Sequence, residues 1–226
     1  MAEKNVSGTS AARVAISNFL QKNRSVILTA IVIVVIVLAA LAGWSIYSQG
    51  VKKEFGAKIE KLDSDYSQWK SEADGTKKAQ LEKALLGELK ALEAKAPNSY
   101  ALLKAYFIQG EYQTEQKQWD AAAVSFEKVF TLDKTSYLAP VALVNAAVCY
   151  ENANDQPKAL QEYSTFITQF KKSALLAPQV YFSQGALLES MGKTAEAIKS
   201  YQQNVENFPD SDWTKLSRDR LFVISK

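Results

Sequence analysis

The chain has 226 residues, 47% of them hydrophobic, a formal net charge of +3 and no histidine. That length supports one sizeable core plus an extra segment, and a chain rich in Ala, Leu, Glu, Lys and Gln with nine Gly and five Pro favours helix over sheet. The charge is not a nucleic-acid footprint, because residues 1–51 carry all of it and residues 52–226 hold 23 basic and 23 acidic side chains. Without histidine there is no Ser-His-Asp or Cys-His relay, and the commonest general base and metal ligand is missing. The single cysteine, Cys149, excludes an intramolecular disulfide.

Residues 1–24 read as a basic cytoplasmic tail, with Lys4, Arg13, Lys22 and Arg24 against Glu3 and a disordered stretch over 1–12. Residues 25–51 read as a transmembrane helix. No charge interrupts the chain between Arg24 and Lys52, and the apolar core runs from Val26 to Tyr47, about the 20 residues that cross a bilayer. Trp44 and Tyr47 stand where an interfacial aromatic belt belongs. Ala40-Leu41-Ala42 offers a small-x-small cleavage site, but the run continues past it, so an uncleaved anchor is expected rather than a signal peptide. The basic tail favours an N-terminus in the cytoplasm and a C-terminal domain outside it.

Residues 52–96 read as a helical hairpin that leads into the soluble array and caps it. Phe55, Ile59, Leu62, Tyr66 and Trp69 form one helical stripe, Asp74-Gly75 breaks it, and Leu81, Leu85, Leu89 and Leu92 form a second, ended by Pro97. Two or three heptads are too few to specify a dimeric coiled coil instead.

From residue 97 to 226 an internal repeat decides the fold. Ser99, Ser136, Ser173 and Ser211 are spaced by 37, 37 and 38 residues, and Ala122, Ala159 and Ala197 follow at 37 and 38, as do Phe126, Tyr163 and Tyr201. Tyr106-Phe107-x-Gln109-Gly110 matches Tyr181-Phe182-x-Gln184-Gly185. A fixed period of this length with helical spacing inside it predicts stacked helix pairs. The serines are placed to cap first helices, and Pro140 and Pro178 fall in first turns, where a missing N–H does no harm. Gly110, Ala147 and Gly185 are small where helices approach, and Asn154 and Gly192 suit a left-handed turn.

These positions carry a resemblance. The third unit, with Tyr181, Gly185, Leu188, Gly192, Ala197, Tyr201 and Pro209, resembles a tetratricopeptide repeat. The second fits at Ala147, Tyr150, Ala159 and Tyr163 but has Lys171 in place of proline. The first fits at Tyr106, Gly110, Trp119, Ala122 and Phe126 but has Lys117 where its inner turn wants glycine. The expected class is all-α: an N-terminal transmembrane helix followed by a tetratricopeptide-like α-solenoid of three units, about 98–134, 135–172 and 173–209. A capping helix from Ser211 to Ile224 is expected to close it.

The resemblance implies a concave groove lined by first helices. In this sequence the groove would present Lys104, Phe107, Glu111, Val144, Val148, Glu151, Phe182, Ala186 and Glu189 to a protein partner. Phe107, Val144 and Phe182 stand where some relatives place peptide-clamping polar residues, which points to an apolar segment as client. The sequence leaves open whether that groove is free or filled by the hairpin and capping helix.

No phosphate-binding glycine loop, cofactor motif or metal-ligand cluster is read. Cys149 reads as a small core residue. The chain is therefore expected not to be an enzyme, to bind no nucleic acid and to use no cofactor. Phe19-Leu20-x-Lys22-Asn23, one membrane helix ending in Gly43-Trp44, a helical lead-in and few repeats together resemble the single-pass ancillary subunit of the bacterial Sec translocon. That resemblance implies a bacterial inner-membrane protein with a periplasmic repeat domain. Its partners would be translocon subunits, secretory polypeptides and chaperones. The alternative from the same layout is a scaffold for an envelope-assembly or cell-division complex.

Overall fold

A computed structural model describes residues 17–96, 100–171 and 175–225. The tail with Arg13, and Pro97, Ser99 and Ser173, lie outside the described residues. The described chain is helical, with no strand among the described residues. Nine long helices follow one another among those residues: α1 Arg24–Ser71, α2 Gly75–Lys95, α3 Tyr100–Glu115, α4 Trp119–Leu132, α5 Leu138–Asn152, α6 Gln156–Phe170, α7 Ala177–Ser190, α8 Thr194–Asn207 and α9 Asp212–Ile224.

The chain divides into two compact units, one ending at Glu54 and one starting at Phe55. The first holds the apolar part of α1. Fourteen large apolar side chains from Val26 to Tyr47 are exposed there, with Val26, Trp44 and Tyr47 all above 60%. Hiding each would gain about 1.5–3 kcal/mol, so water is a poor solvent for this helix. It is long and apolar enough to cross a membrane.

The second unit is a stack of helix pairs. Phe55, Ile59, Leu62, Tyr66 and Trp69, the first predicted stripe, are all buried. Asp74 starts α2 by accepting the Lys77 N–H at 2.9 Å, the usual way an N-cap carboxylate satisfies an orphan donor. Leu85, Leu89 and Leu92 are buried opposite.

Between α3 and α8 the first and third pairs are built on the same contact. A Cβ added at Gly110 would stand 2.8 Å from the Phe126 ring, and one at Gly185 2.5 Å from the Tyr201 ring. Neither position has room for a side chain, because the aromatic ring of the second helix lies against the backbone of the first. Ala147 and Tyr163 occupy the same register in the middle pair and are likewise fully buried.

The turns inside the pairs are alike too. Lys117, Asn154 and Gly192 have φ of 58°, 63° and 73°, so the lysine turn that departs from the family pattern adopts the same left-handed conformation as the other two. The backbone bonds explain it: Gln118, Asp155 and Lys193 each donate an N–H five residues back, to the Gln113, Tyr150 and Leu188 carbonyls, a closure that requires left-handed backbone one residue earlier.

The serine caps are only partly as expected. Ser136 Oγ accepts the Leu138 N–H at 3.3 Å, but the Ser211 hydroxyl makes no capping bond. Ser211 serves through its backbone carbonyl, which accepts from Thr214 and Lys215. Asp155, unremarked in the sequence, caps α6 with its side chain.

At the end of the stack the core turns polar. The position filled by Val129 and Phe166 in earlier pairs holds Asn204, fully buried. Its amide donates to the Pro178 carbonyl and to Ser217 Oγ, both at 2.9 Å, and Thr214 Oγ1 donates to the Phe208 carbonyl at 2.6 Å. These bonds fasten α9 to α7 and α8.

Gly185→Ala is expected to destabilise the fold by about 1–3 kcal/mol through overpacking against Tyr201. Gly87→Ala, in the middle of α2 with open space around its Cα, is expected to stabilise it by about 0.5–1 kcal/mol. Thermal melts followed by circular dichroism at 222 nm check both signs.

Candidate functional site

The first helices α3, α5 and α7 carry the residues singled out from the sequence at repeating offsets. The inner row is Phe107, Val144 and Phe182; Phe107 and Val144 are buried and Phe182 is half-buried. The second row is Glu111, Val148 and Ala186; Glu111 is half-buried, and Val148 and Ala186 are exposed. The outer row is Thr114, Glu151 and Glu189.

The outer row shows how the pairs vary. Tyr163 donates its hydroxyl to Glu151 Oε1 at 2.5 Å, and Tyr201 donates to Glu189 Oε2 at 3.2 Å. In the first pair the ring is Phe126, with no hydroxyl, and Thr114 replaces the glutamate. Thr114 bonds back to the Gly110 carbonyl at 2.8 Å and lies 3.5 Å from Cys149 Sγ. Burial pushes the Cys149 thiol up, away from the thiolate that reactive cysteines need.

Both ends of this face are occupied by the chain itself. Lys104 Nζ pairs with Asp63 of α1 at 3.0 Å. At the other end Phe182 packs between Tyr201 and Trp213, with ring centroids at 5.7 and 5.5 Å, and Arg220 of α9 pairs with Glu189. Between them a cavity of about 210 Å³ is lined by Tyr66 and Lys70 of α1, Glu111 and Thr114 of α3, and Asn145 and Val148 of α5. Lys70 is drawn to Glu115 at 2.6 Å. Burial raises the Glu111 carboxyl, against the opposing pull of Lys104 and Lys70.

Two features of this region were not singled out from the sequence. Tyr100 and Tyr137, equivalent residues of adjacent pairs, touch through their hydroxyls at 2.7 Å with rings 6.1 Å apart. Their 37-residue separation was a usable signal. Glu162 is the second: it is 6% exposed and occupies the register that holds Ser125 and Ser200 in the other pairs. Those serines donate to Gln113 Oε1 and to the Tyr181 carbonyl. Burial, then the charge of Glu127, pushes the Glu162 carboxyl up to about 7. Glu127 itself accepts the Tyr150 hydroxyl at 2.6 Å, and Lys158 lies over the Tyr150 ring.

A family model for the tetratricopeptide repeat-like domain matches residues 17–221. The chain belongs to that family. The match begins before the apolar helix and ends within α9, so the family model of this tetratricopeptide repeat-like protein takes in both the apolar helix and the array. It is 28% identical over 148 residues to a TPR repeat-containing protein of Treponema pallidum (strain Nichols). That alignment covers 64% of the chain and 60% of the relative, so the chain spans less than two thirds of the curated protein it matches. Domains of this kind suggest protein partners, and the family is typically non-catalytic.

Because the folded pKa of Glu162 is raised, the stability its neutral form supports is full below about pH 4.5 and is lost as pH rises through about 7. Glu162→Gln is therefore expected to flatten the fall in melting temperature between about pH 5 and 8 and to raise it by a few degrees at the upper end. Parallel pH slopes in melts of the two proteins would contradict this.

Proposed function

We propose that this protein is a membrane-anchored protein-interaction protein whose repeats contact polypeptides outside the cytoplasm. In the narrower reading it is an ancillary subunit of the bacterial Sec translocon. It sits in the inner membrane with the basic tail in the cytoplasm and the repeat domain in the periplasm, and passes emerging secretory chains to chaperones. One observation carries the reading: a helix whose large apolar side chains are exposed all round precedes a repeat array that leaves Val148 and Ala186 open on the face of its first helices. The excess of basic over acidic residues before the helix supports the orientation.

The domain division proposed with it is a tail over 1–24, a span over 25–51, a hairpin cap over 52–96 and three repeats with a capping helix over 97–226. The nine residues Lys104, Phe107, Glu111, Val144, Val148, Glu151, Phe182, Ala186 and Glu189 form the proposed groove. Buried Phe107 and Val144 shape its floor, and Val148 and Ala186 meet the client.

A second reading has its own observation. The pairing of Lys104 with Asp63 and the packing of Trp213 on Phe182 shorten the open face. A short face suits a scaffold for an envelope-assembly or cell-division complex with one or two fixed partners better than a receiver of many clients.

Brief crosslinking in native membranes, mild extraction and mass spectrometry separate the two. Translocon subunits and secretory precursors should be enriched. The translocon subunits should be lost when residues 1–51 are exchanged for an unrelated anchor, and Val148→Asp should weaken precursor capture severalfold. Recovery of one stoichiometric envelope complex without translocon would establish the scaffold instead. A repeat domain that survives protease on intact spheroplasts would overturn the orientation.

A further inference from the structure

The first helices α3, α5 and α7 carry the glutamates Glu111, Glu115, Glu151 and Glu189, and the chain itself satisfies all but one. Glu115 pairs with Lys70, Glu151 accepts the Tyr163 hydroxyl, and Glu189 takes both Arg220 and the Tyr201 hydroxyl. Glu111 is the exception. It is half-buried and makes no hydrogen bond or ion pair among the described residues. Lys104 and Lys70 pull on it from a distance, but Lys104 is bound to Asp63 and Lys70 to Glu115. Asp63, Glu111 and Glu115 thus share two ammonium groups at this end of the face, and one negative charge is left over.

That charge lines the cavity of about 210 Å³ between α1, α3 and α5. Asn145 lines it too, half-buried, with an amide that makes no hydrogen bond among the described residues. Tyr66 and Val148 supply apolar wall. A partly buried carboxylate without a partner is costly, and an opposite charge brought to it restores the balance. Water would donate a hydrogen bond but leave the charge. No group of three metal-ligating side chains stands here among the described residues, and hard cations take six or more oxygen ligands. The cavity is also smaller than the roughly 300–1,000 Å³ of small-molecule pockets. It suits one long cationic side chain.

We propose that the cavity is a specificity pocket for a basic side chain of the client, arginine above all. The guanidinium donates to the Glu111 carboxylate and to Asn145 Oδ1, a planar fork of donors meeting two acceptors. Its methylene stem lies on Tyr66 and Val148. An apolar neighbour of that arginine then meets the exposed Val148 and Ala186, so the preferred client segment pairs a basic residue with apolar ones. This pocket rests on the reading of the repeats as a client-binding array given under Proposed function.

The test uses the full-length chain in nanodiscs and two short Gly/Ser peptides, one with Leu-Arg-Leu and one with Leu-citrulline-Leu at its centre. Citrulline keeps the shape of arginine and removes its charge. Each peptide carries a benzophenone beside the centre, labelling is titrated with peptide, and attachment sites are mapped by mass spectrometry. Half-maximal labelling of α3, α5 and α7 should need about tenfold less arginine peptide than citrulline peptide. Glu111→Gln should bring the arginine peptide to the citrulline level and leave the citrulline peptide unchanged. Glu206→Gln, the same change at an exposed position of α8, should preserve the preference. If a circular dichroism melt shows the Glu111→Gln protein unfolded, Asn145→Lys, which sets a cation of the chain's own at the cavity wall, gives the same readout. Equal labelling by the two peptides, or a preference that survives in the cavity variants, overturns the pocket while the client-binding array stands. Labelling that maps away from α3, α5 and α7, or no labelling, overturns the array reading and the pocket with it.

Discussion

The close approach of helices in the first and third pairs depends on one contact: a ring on the second helix lying against the backbone of the first, at a glycine sixteen residues earlier in sequence. Gly110 under Phe126 and Gly185 under Tyr201 leave no room even for a methyl group. That closeness brings two helices near enough to share one thin layer of side chains, and the layer is filled by Ala122, Ala159 and Ala197, all fully buried. The left-handed turns at Lys117, Asn154 and Gly192 are the shortest way to reverse the chain between helices held so closely. The face displayed by α3, α5 and α7 is what remains once the opposite sides of those helices are committed to their partners.

Variation on that frame gives each pair its character. Where the ring carries a hydroxyl, as in Tyr163 and Tyr201, a glutamate twelve residues earlier accepts from it. Where the ring is Phe126 the glutamate is absent and Thr114 satisfies itself on its own helix. The two positions change together across the three pairs. Asn204 follows the same logic at the end of the stack. An apolar residue there would suit another identical pair, whereas the asparagine uses the Ser217 hydroxyl supplied by α9, so α9 is joined to the last pair by polar bonds.

The apolar helix and the repeat array obey opposite rules. The apolar part of α1 exposes its large side chains among the described residues and is long and apolar enough to cross a membrane. The repeat array buries its large apolar side chains in pairs and leaves a short mixed strip exposed. The array belongs to the tetratricopeptide repeat-like family, which is typically non-catalytic, and its core cysteine has a thiol pushed up by burial.

The sequence by itself determined the helical class, the period of the pairs, the close-approach positions and the apolar helix. All of these depend on residues a few positions apart on one helix, or on copies of one pattern, and periodicity records both. The stripe from Phe55 to Trp69 and the need for small residues at Gly110 and Gly185 were legible for that reason, whereas the rings that lie on those glycines were not. What only the tertiary structure decided involves partners set by packing between helices: Trp213 closing over Phe182, Lys104 reaching Asp63, the Ser211 hydroxyl left out of its cap, and Asn204 finding Ser217. Glu162 shows why. Read along its own helix it is one more polar residue, but the repeat places it in the register of two buried serines. The desolvation that lifts its carboxyl exists only once α4 and α5 have closed around it.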